Sequence, residues 1–373
     1  MKVRAAVINR SGEEYQLETL ELAEMQPDEI LVKMVASGMC MSDETVRKGG
    51  SSGSAPLPMV PGHEGSGIVE KVGEAVKSFK VGDHVVMSYA YCGHCTSCRT
   101  GHPAVCNDWM KLNYQGVRGD GSYAFHKEDG TPVGNLYGYS SFVTHALTQE
   151  SNLTKVDKDL DLRLIGPLGC GFLTGSGTVI NGLKPKVGSS IAIFGTGAVG
   201  LAAMMAAKIE GCSTIIAVDI HDSRLEIAKN LGATHVINSK LEDPIEKVKE
   251  ITDELGVNYS VDTTGVGPVM KTALTVLAKG GFFAPVAVSK NSIEINPTAE
   301  LSLVSKSMVG VIMGDGVPQL SIPQLAKFYR EGRFPFDKLV KYYNFEDINQ
   351  ASIDSVNGSV IKPILIIDDT YSV

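Results

Sequence analysis

The sequence has no excess of basic residues and no long apolar run. Its 373 residues include 34 Lys and Arg against 42 Asp and Glu, which gives a formal net charge of −8. Without a basic patch to offset this charge, a nucleic-acid partner is not expected. No run of eighteen apolar residues occurs, and the chain start, MKVRA, lacks the apolar core of a signal peptide. We therefore expect a soluble cytoplasmic protein without a membrane partner.

Cysteine is also scarce, and its count is odd. Seven cysteines do not suit the paired framework of a secreted, disulfide-stabilised protein, so in a reducing compartment they suggest metal binding or catalysis. Hydrophobic residues make up 43% and charged residues 20% of the chain, as in a globular protein. A chain of this length suggests two domains of similar size.

The stretch 191–219 has the order of a dinucleotide-binding unit. An apolar run predicts a buried strand, the motif GTGAVG follows at 195–200, and a helical run and a second β-rich run come next. Asp219 ends the second β-rich run. Glycine-rich turns occur in other α/β proteins too, but strand, glycines, helix, strand and acid in this order favour a Rossmann domain. The three runs are 191–194, 201–208 and 214–218.

Each part of this motif has a physical role. Gly195 makes the tight turn, Gly197 lets a pyrophosphate approach the backbone, and Gly200 packs the helix on the strand. Val199, just before the third glycine, is a further candidate for contact with the cofactor. The N-terminus of the helix that follows presents free N–H groups and a positive dipole end to phosphates. Asp219 can accept hydrogen bonds from both ribose hydroxyls, while its charge would repel a 2′-phosphate. The motif therefore predicts NAD binding.

Four of the cysteines are close together in sequence. Four thiolates within fifteen residues, three of them at a spacing of three, can close a tetrahedron around one zinc ion. An iron–sulfur cluster is the alternative, because the intervals are similar to those of ferredoxins. Four sulfur ligands leave no open position, so this site should be structural, and His94 inside the loop needs no ligand role. The cysteines are Cys92, Cys95, Cys98 and Cys106.

Three further residues are candidates for a second metal site. Taken alone, Cys40 is interpreted as a small buried hydrophobe and His63 as a structural histidine. With Cys170, however, they make two cysteines and a histidine, and such a set with a fourth position open is a known catalytic zinc site. Sequence spacing by itself does not assemble these three residues.

The chain resembles the zinc-dependent medium-chain alcohol dehydrogenases along essentially its whole length. The four-cysteine segment, Gly169-Cys170-Gly171 and the nucleotide motif follow in the order of that family. Within the family, segments 219–240 and 334–340 are most similar to aryl-alcohol (benzyl-alcohol) dehydrogenases. The family signature G-H-E-x2-G-x5-G-x2-V is matched by Gly62, His63, Glu64, Gly67, Gly73 and Val76.

This resemblance implies an α/β architecture with two domains. A mostly-β, GroES-like, zinc-binding catalytic domain is expected at 1–171 and 313–373. A doubly wound parallel-sheet Rossmann domain is expected at 172–312. The family also implies a homodimer or a homotetramer.

The resemblance assigns roles to residues around the expected metal. It implies that Cys40, His63 and Cys170 hold a catalytic zinc, and that the four clustered cysteines hold a structural zinc. Glu64 is then an acid that can approach the metal, and Asp43 is the hydrogen-bond partner of the histidine.

The proton path and the cofactor contacts are implied in the same way. Ser42 matches the hydroxyl that takes the alcohol proton. Thr174 matches a residue behind the nicotinamide ring, and Lys362 a basic residue near the pyrophosphate. Met41 stands where many members have Arg or His, and Thr45 where many have His. A relay from Ser42 is therefore expected to end in the Thr45 hydroxyl or in water.

Two residues are candidates for contact with the substrate. The family forms the mouth of its pocket from loops around Ser88 and Trp109, although solvent-shielded packing would equally explain the tryptophan. The implied reaction is the reversible, NAD- and zinc-dependent oxidation of a primary alcohol, aromatic or allylic, to its aldehyde. One alternative is a short-chain aliphatic or glutathione-adduct alcohol dehydrogenase. The other is a catalytically silent protein that binds zinc and NAD.

Overall fold

The structure is a computed structural model that describes residues 1–49, 56–289 and 291–372. Most of the glycine- and serine-rich segment 49–53, predicted as a loop, lies outside the described residues. The chain forms two compact units. The first comprises Met1–Cys170, Val317–Lys327 and Phe336–Val373, and the second comprises Gly171–Gly316 and Phe328–Pro335.

The strands are numbered in chain order. They are β1 (Lys2–Val7), β2 (Gln16–Leu22), β3 (Glu29–Gly38), β4 (Met59–Val60), β5 (Glu64–Val72), β6 (His84–Met87), β7 (Phe125–His126), β8 (Pro132–Asn135), β9 (His145–Gln149), β10 (Leu153–Val156), β11 (Ser190–Phe194), β12 (Thr214–Asp219), β13 (His235–Asn238), β14 (Val257–Asp262), β15 (Leu277–Pro285), β16 (Ser307–Met308), β17 (Val340–Asn344) and β18 (Lys362–Ile366).

The α-helices are numbered in the same way. Within the described part of the chain, no helix is both long and apolar enough to cross a membrane. The helices are α1 (Met41–Arg47), α2 (Thr96–Arg99), α3 (Trp109–Tyr114), α4 (Leu162–Ile165), α5 (Gly171–Gly177), α6 (Ala198–Ile209), α7 (Asp222–Leu231), α8 (Pro244–Ile251), α9 (Gly267–Thr275), α10 (Pro318–Arg330) and α11 (Ile348–Asn357).

The first unit is built from two sheets. One has the order β1-β2-β7-β8-β4, and the other has the order β10-β6-β5-β3-β18-β17, with β9 also paired to β3. Strand β3 lies in the middle of the larger sheet, and all but one of its residues are buried. Its nearly continuous apolar run is what a strand covered on both faces requires. These mostly antiparallel sheets agree with the predicted GroES-like domain.

The register of β3 explains how distant residues meet in this unit. Gly38, the last residue of β3, lies opposite Glu64, the first residue of β5. On its other side Gly38 lies opposite Ile364 of β18. The residues just beyond these strand ends therefore emerge at the same edge of the sheet. A side chain at Gly38 would collide with the Glu64 carboxylate, so only glycine fits this position.

The second unit contains one parallel sheet with the order β13-β12-β11-β14-β15-β16, and each neighbouring pair is parallel. The chain runs outward from β11 to β13 and then outward on the other side from β14 to β16. The switch point between β11 and β14 is where such sheets bind ligands. The predicted strand, helix and second strand after residue 190 correspond to β11, α6 and β12. The doubly wound Rossmann fold is therefore confirmed.

The division between the units differs from the predicted one near the C-terminal part of the chain. Residues 313–316 and 328–335 belong to the second unit, although the catalytic domain was expected to resume at 313. Packing explains this difference. Phe334 lies edge-on to Phe172, with ring centroids 6.3 Å apart, and the Asn181 side chain donates to the Gly314 carbonyl at 3.0 Å.

Candidate active site

The side chains of Cys40, His63, Glu64 and Cys170 converge at one edge of the larger sheet in the first unit. Their ligand atoms all lie within 4.8 Å of one another. Cys40 is the N-cap of α1, His63 and Glu64 lie at the start of β5, and Cys170 follows a turn at 166–169. The structure therefore brings together the three residues that the resemblance assigns to a catalytic metal, although Cys40 and Cys170 are 130 positions apart in the sequence.

The imidazole of His63 is oriented by Asp43. His63 Nδ1 lies 2.9 Å from Asp43 Oδ1, and both side chains are fully buried. A carboxylate accepts hydrogen bonds, so we assign the ring proton to Nδ1. Nε2 is buried and has no hydrogen-bond partner among the described residues. A buried lone pair beside two thiols fits a metal ion, and the set of two sulfurs and one nitrogen fits zinc.

Asp43 holds more than the histidine. Its Oδ1 also accepts from the Gly62 amide at 3.0 Å, and its Oδ2 accepts from the Cys40 amide at 3.0 Å. Burial alone would lower the pKa of His63, but the charge and hydrogen bond of Asp43, together with Cys40, outweigh burial and raise this pKa well above its usual value. One carboxylate thus positions two of the candidate metal ligands, as predicted for the partner of the histidine.

Glu64 is paired with Lys362 in the buried interior of the first unit. Lys362 Nζ lies 3.0 and 2.8 Å from the two Glu64 carboxylate oxygens and donates to the Met39 carbonyl at 3.1 Å. Burial raises the pKa of Glu64. Lys362 is thus the counter-ion of Glu64, and its predicted place near a pyrophosphate remains a prediction. Lys362 reaches Glu64 because β18 lies beside β3 and starts at this lysine.

Helix α1 carries the predicted proton path. Ser42 Oγ lies 3.7 Å from Cys40 Sγ, so the hydroxyl is adjacent to a candidate metal ligand. The Thr45 hydroxyl donates to the Met41 carbonyl at 2.9 Å, a local bond within the helix. Met41 is 51% exposed, and its sulfur lies 4.0 Å from Ser355 Oγ. The predicted relay from Ser42 to the Thr45 hydroxyl or to water remains a prediction.

Ser88 directly follows β6 in the interior of the first unit, and its contact with substrate remains a prediction. Its side chain is fully buried, and its hydroxyl donates to the Gly169 carbonyl at 2.6 Å. The bond from Ser88 holds the backbone directly before Cys170. At the same place a side chain at Gly169 would collide with the Met87 carbonyl.

Sequence reasoning missed an aromatic cluster beside His63. The Tyr137 ring stacks on the imidazole with centroids 4.7 Å apart and an interplanar angle of 22°. Trp109 contacts both Tyr137 and Tyr114, which is the packing role considered for it, and its contact with substrate remains a prediction. The Tyr139 hydroxyl donates to the His63 carbonyl at 2.8 Å. No sequence motif marks these tyrosines, because only the fold brings them to the histidine.

The four clustered cysteines form a second group with metal-binding geometry. Their sulfurs lie within 4.8 Å of one another. The Cys92 amide donates to Cys106 Sγ at 3.3 Å, and the Cys95 amide donates to Cys92 Sγ at 3.4 Å. Backbone amides of Cys98 and Asn107 lower the pKa of Cys95 to about 6, whereas burial raises the pKa of Cys98 to about 12. This geometry fits a closed site of four sulfurs.

His94 lies in the same loop and is exposed. Its Nδ1 contacts the Cys92 carbonyl at 2.8 Å. The four sulfurs complete a tetrahedral set without it, so a ligand role for His94 is not required.

The glycine turn of the second unit fits a dinucleotide. Gly195 has φ +88°, and a side chain at Gly200 would collide with the Gly195 carbonyl. A Cβ at Gly197 would meet no atom within 4 Å, so the backbone is open to an approaching pyrophosphate. Helix α6 begins directly after Gly197. The turn therefore has the shape and the free amides that a phosphate requires.

Two other predicted cofactor residues belong to the same unit. Val199 lies in the first turn of α6, and its carbonyl is so close to α5 that a side chain at Gly175 would collide with it. Thr174 precedes Gly175 in α5 and is half-buried. Its hydroxyl oxygen lies 3.8 Å from the sulfur of Met313. Their contacts with a nicotinamide cofactor remain predictions.

Asp219 ends β12 and is buried, with 6% of its surface exposed. Its Oδ2 accepts from both the amide and the hydroxyl of Thr196, each at 2.7 Å. Its Oδ1 accepts from the amides of Ile220 and His221 at 2.7 and 3.0 Å. Burial alone would raise the pKa of Asp219, but the bonds from Thr196, the amide of Ile220 and the charge of Arg224 together outweigh burial and lower this pKa. The ribose acceptor predicted from the sequence is thus already bonded to the protein.

Two family models match the chain. Residues 26–158 match the alcohol dehydrogenase GroES-like domain, and residues 198–331 match the zinc-binding dehydrogenase family.

Several known proteins are similar over nearly the full length. The chain is 39% identical over 371 residues to a geraniol dehydrogenase from Castellaniella defragrans, with 98% of each chain covered. The crystal structure of benzyl alcohol dehydrogenase from Acinetobacter calcoaceticus superimposes with a TM-score of 0.94 at 46% identity, covering 99% of this chain and 100% of that one. An alcohol dehydrogenase zinc-binding domain protein from Burkholderia ambifaria gives a TM-score of 0.95 at 44% identity, with 99% of each chain covered.

The substitution Asp43→Asn should loosen metal at the Cys40–His63–Cys170 cluster. An amide cannot accept from the histidine and from two backbone amides as the carboxylate does, so zinc affinity should fall by about 10–100-fold. Competition with a chelator, read as zinc retained per chain, measures this. Glu44→Gln is the matched control, because Glu44 is a neighbouring buried acid that bonds Tyr15, Ser352 and Arg47. Equal zinc retention in the two variants would contradict the positioning role of Asp43.

Proposed function

Because the chain belongs to the zinc-dependent medium-chain alcohol dehydrogenase family, we propose that it oxidises a primary aromatic or allylic alcohol to its aldehyde, reversibly, with NAD as the hydride acceptor. Family membership itself makes it an alcohol dehydrogenase that uses zinc and a nicotinamide dinucleotide. The class of alcohol and the preference for NAD are the proposed parts.

The observation that carries the substrate class is the chemistry shared by two relatives. One is named a geraniol dehydrogenase and the other a benzyl alcohol dehydrogenase, and both alcohols carry the hydroxyl on a carbon next to an unsaturated carbon. The cluster of Trp109, Tyr114 and Tyr137 beside His63 supports the same class. Aromatic side chains pack favourably against flat unsaturated groups.

The chain's own residues would prepare the alcohol for oxidation. A zinc ion held by Cys40, His63 and Cys170 would supply Lewis acidity that lowers the pKa of the alcohol oxygen. Asp43 fixes the imidazole so that Nε2 points into the cluster. The Tyr137 ring stacks on this imidazole, and both side chains are buried.

Ser42 is proposed to accept the alcohol proton at Oγ. Its position beside Cys40 supports this role, because a proton acceptor must lie within reach of the group that it deprotonates. The proton would then pass outward to the Thr45 hydroxyl or to water, since no histidine stands at position 45. The carbinol carbon loses a hydride to NAD, which supplies that chemistry when bound.

Asp219 supports NAD over NADP. Its carboxylate has a lowered pKa and is therefore ionised at neutral pH, so a 2′-phosphate beside it would be repelled. The glycine turn and the N-terminus of α6 would hold the pyrophosphate.

Two rival functions remain distinct from this proposal. A short-chain aliphatic or glutathione-adduct alcohol dehydrogenase would use the same zinc and nucleotide sites with another pocket. A catalytically silent protein would bind zinc and NAD without turnover. Retention of Cys40, Ser42, His63 and Cys170 argues against the silent protein, because a binding module needs no open metal site.

We further propose two zinc ions per chain and a homo-oligomer. The second zinc would lie in the four-cysteine lobe, where the sulfur geometry supports a structural site. The dimer or tetramer is proposed by analogy with the family alone.

A substrate and cofactor panel tests the proposed function. Benzyl alcohol and geraniol should give kcat/KM values at least about tenfold above that of ethanol, because burial of an unsaturated group contributes binding energy that ethanol lacks. Turnover with NAD should exceed turnover with NADP. Preference for ethanol or for the formaldehyde–glutathione adduct would support the first rival. Zinc and NAD binding without turnover of any alcohol would support the second.

Metal analysis of two cysteine variants tests the pair of zinc sites. Cys40→Ser should leave one zinc per chain in a folded, inactive protein, since it opens only the catalytic cluster. Cys95→Ser should remove the other zinc and promote aggregation, because a structural zinc contributes folding free energy. Wild-type protein with one zinc, or with iron and sulfide, would contradict the two-zinc proposal.

Ser42→Ala tests the proton path. The variant keeps all three candidate zinc ligands but lacks the hydroxyl, so kcat for oxidation should fall by roughly 10²–10⁴. Ser42→Thr is the control, because it restores a hydroxyl at the same place and should recover much of the rate. Steady-state kinetics at matched zinc content give the comparison. A rate unchanged in Ser42→Ala would assign the proton to water or to another residue.

A further inference from the structure

The carboxylate of Asp219 has no acceptor position left over. An ionised carboxylate offers about four lone-pair sites, and four protein donors from Thr196, Ile220 and His221 occupy them at 2.7 to 3.0 Å. The residue is 6% exposed. A ribose hydroxyl can therefore bond this carboxylate fully only if one protein donor leaves.

Three of the four donors are backbone amides in fixed places. The Thr196 amide lies within the glycine turn, which is held by the bond from the Gly195 amide to the Val218 carbonyl at 2.8 Å. The Ile220 and His221 amides follow β12 directly, and the Ser239 amide donates to the Asp219 carbonyl at 2.9 Å. Moving any of them would disturb the turn or the strand end.

The fourth donor is the Thr196 hydroxyl, which belongs to a buried side chain and, unlike the other three donors, is not part of the backbone. It turns about one side-chain bond without any change in the backbone. Thr196 is also the residue between the first two glycines of the nucleotide motif. Its side chain therefore lies between the glycine turn and Asp219.

We propose that the Thr196 hydroxyl competes with the adenosine ribose of NAD for Asp219, and thereby weakens cofactor binding and speeds NADH release. The inference rests on the proposed NAD site and adds Thr196 to it as an affinity-determining residue. In the free protein the hydroxyl satisfies the buried carboxylate. When NAD binds, a ribose hydroxyl replaces the Thr196 hydroxyl at Asp219 Oδ2. The loss of the Thr196 bond makes the free energy of cofactor binding less favourable.

Removing the hydroxyl while keeping the side-chain shape should strengthen binding. Thr196→Val should lower the Kd for NADH by about three- to tenfold, the effect expected for one hydrogen bond, and should slow NADH release by a similar factor. Thr196→Ser keeps a hydroxyl and should stay near wild type. Fluorescence titration and stopped-flow release measure both quantities. Thermal unfolding checks that Thr196→Val is folded. If it is not, Thr196→Ala is a second variant without the hydroxyl.

A modified ligand separates competition from a general change in the site. With an NAD analogue that carries 2′,3′-dideoxyribose on the adenosine side, the gain of Thr196→Val should disappear, because no ribose hydroxyl is present to use the vacated position. A gain that persists with this analogue would overturn the proposal. So would an unchanged or a raised Kd for NADH in both Thr196→Val and Thr196→Ala.

The outcome for the wild type distinguishes the two levels of proposal. If the wild type binds NADH and prefers it to NADPH, an unaltered affinity in the variants overturns only the competition. If the wild type fails to bind NADH, the NAD site itself is wrong, and the competition is overturned with it.

Discussion

The buried carboxylate of Asp43 is the contact on which the candidate metal cluster depends. It takes hydrogen bonds from the Cys40 amide, the Gly62 amide and the His63 ring, which come from two separate segments of the chain. A carboxylate without exposure to water is costly unless its oxygens are bonded. The three donors reach the carboxylate only when the start of α1 and the start of β5 lie beside each other. The same contact therefore fixes the positions of Cys40 and His63.

The sheet explains the second charged pair at this edge. Strands β5 and β18 both flank β3, so Glu64 and Lys362 begin their strands on either side of Gly38. Two thiolates and two carboxylates would concentrate negative charge around a divalent ion. The ammonium of Lys362 lies 2.8 Å from Glu64 and neutralises the charge of that carboxylate. A buried pair of this kind contributes little to stability by itself, but it neutralises a carboxylate that lies within 4.8 Å of the three candidate metal ligands.

Local motifs predicted the parts of this protein that depend on neighbouring residues in the chain. The order of strand, glycines, helix and acid was sufficient to place β11, α6 and β12, because each step is a local backbone requirement. The four-cysteine segment was recognisable for the same reason. The cluster of Cys40, His63 and Cys170 came from family resemblance, since only the pairing of β3 with β5 brings it together.

Some contacts could not be predicted, because the partner of the side chain is distant in the sequence. The Ser88 hydroxyl bonds Gly169, eighty-one residues away. Lys362 bonds Glu64, 298 residues away. The stacking of Tyr137 on His63 had no signal at all. Contacts of this kind depend on strand order and register, which a single sequence specifies only through the folded structure.

The candidate metal cluster and the nucleotide site differ in whether their buried polar atoms are bonded to the protein. This difference matches how long a metal ion and a cofactor stay bound. Within the described residues His63 Nε2 has no partner, which suits a metal that remains bound and need not be exchanged. Asp219 is bonded at every acceptor position, which suits a cofactor that must leave after each turnover. If the acceptor position used by the ribose stayed empty whenever the dinucleotide departed, each release would leave one lone pair of a buried carboxylate unsatisfied. The Thr196 hydroxyl supplies a replacement bond at that moment, so binding and release exchange one hydrogen bond for another.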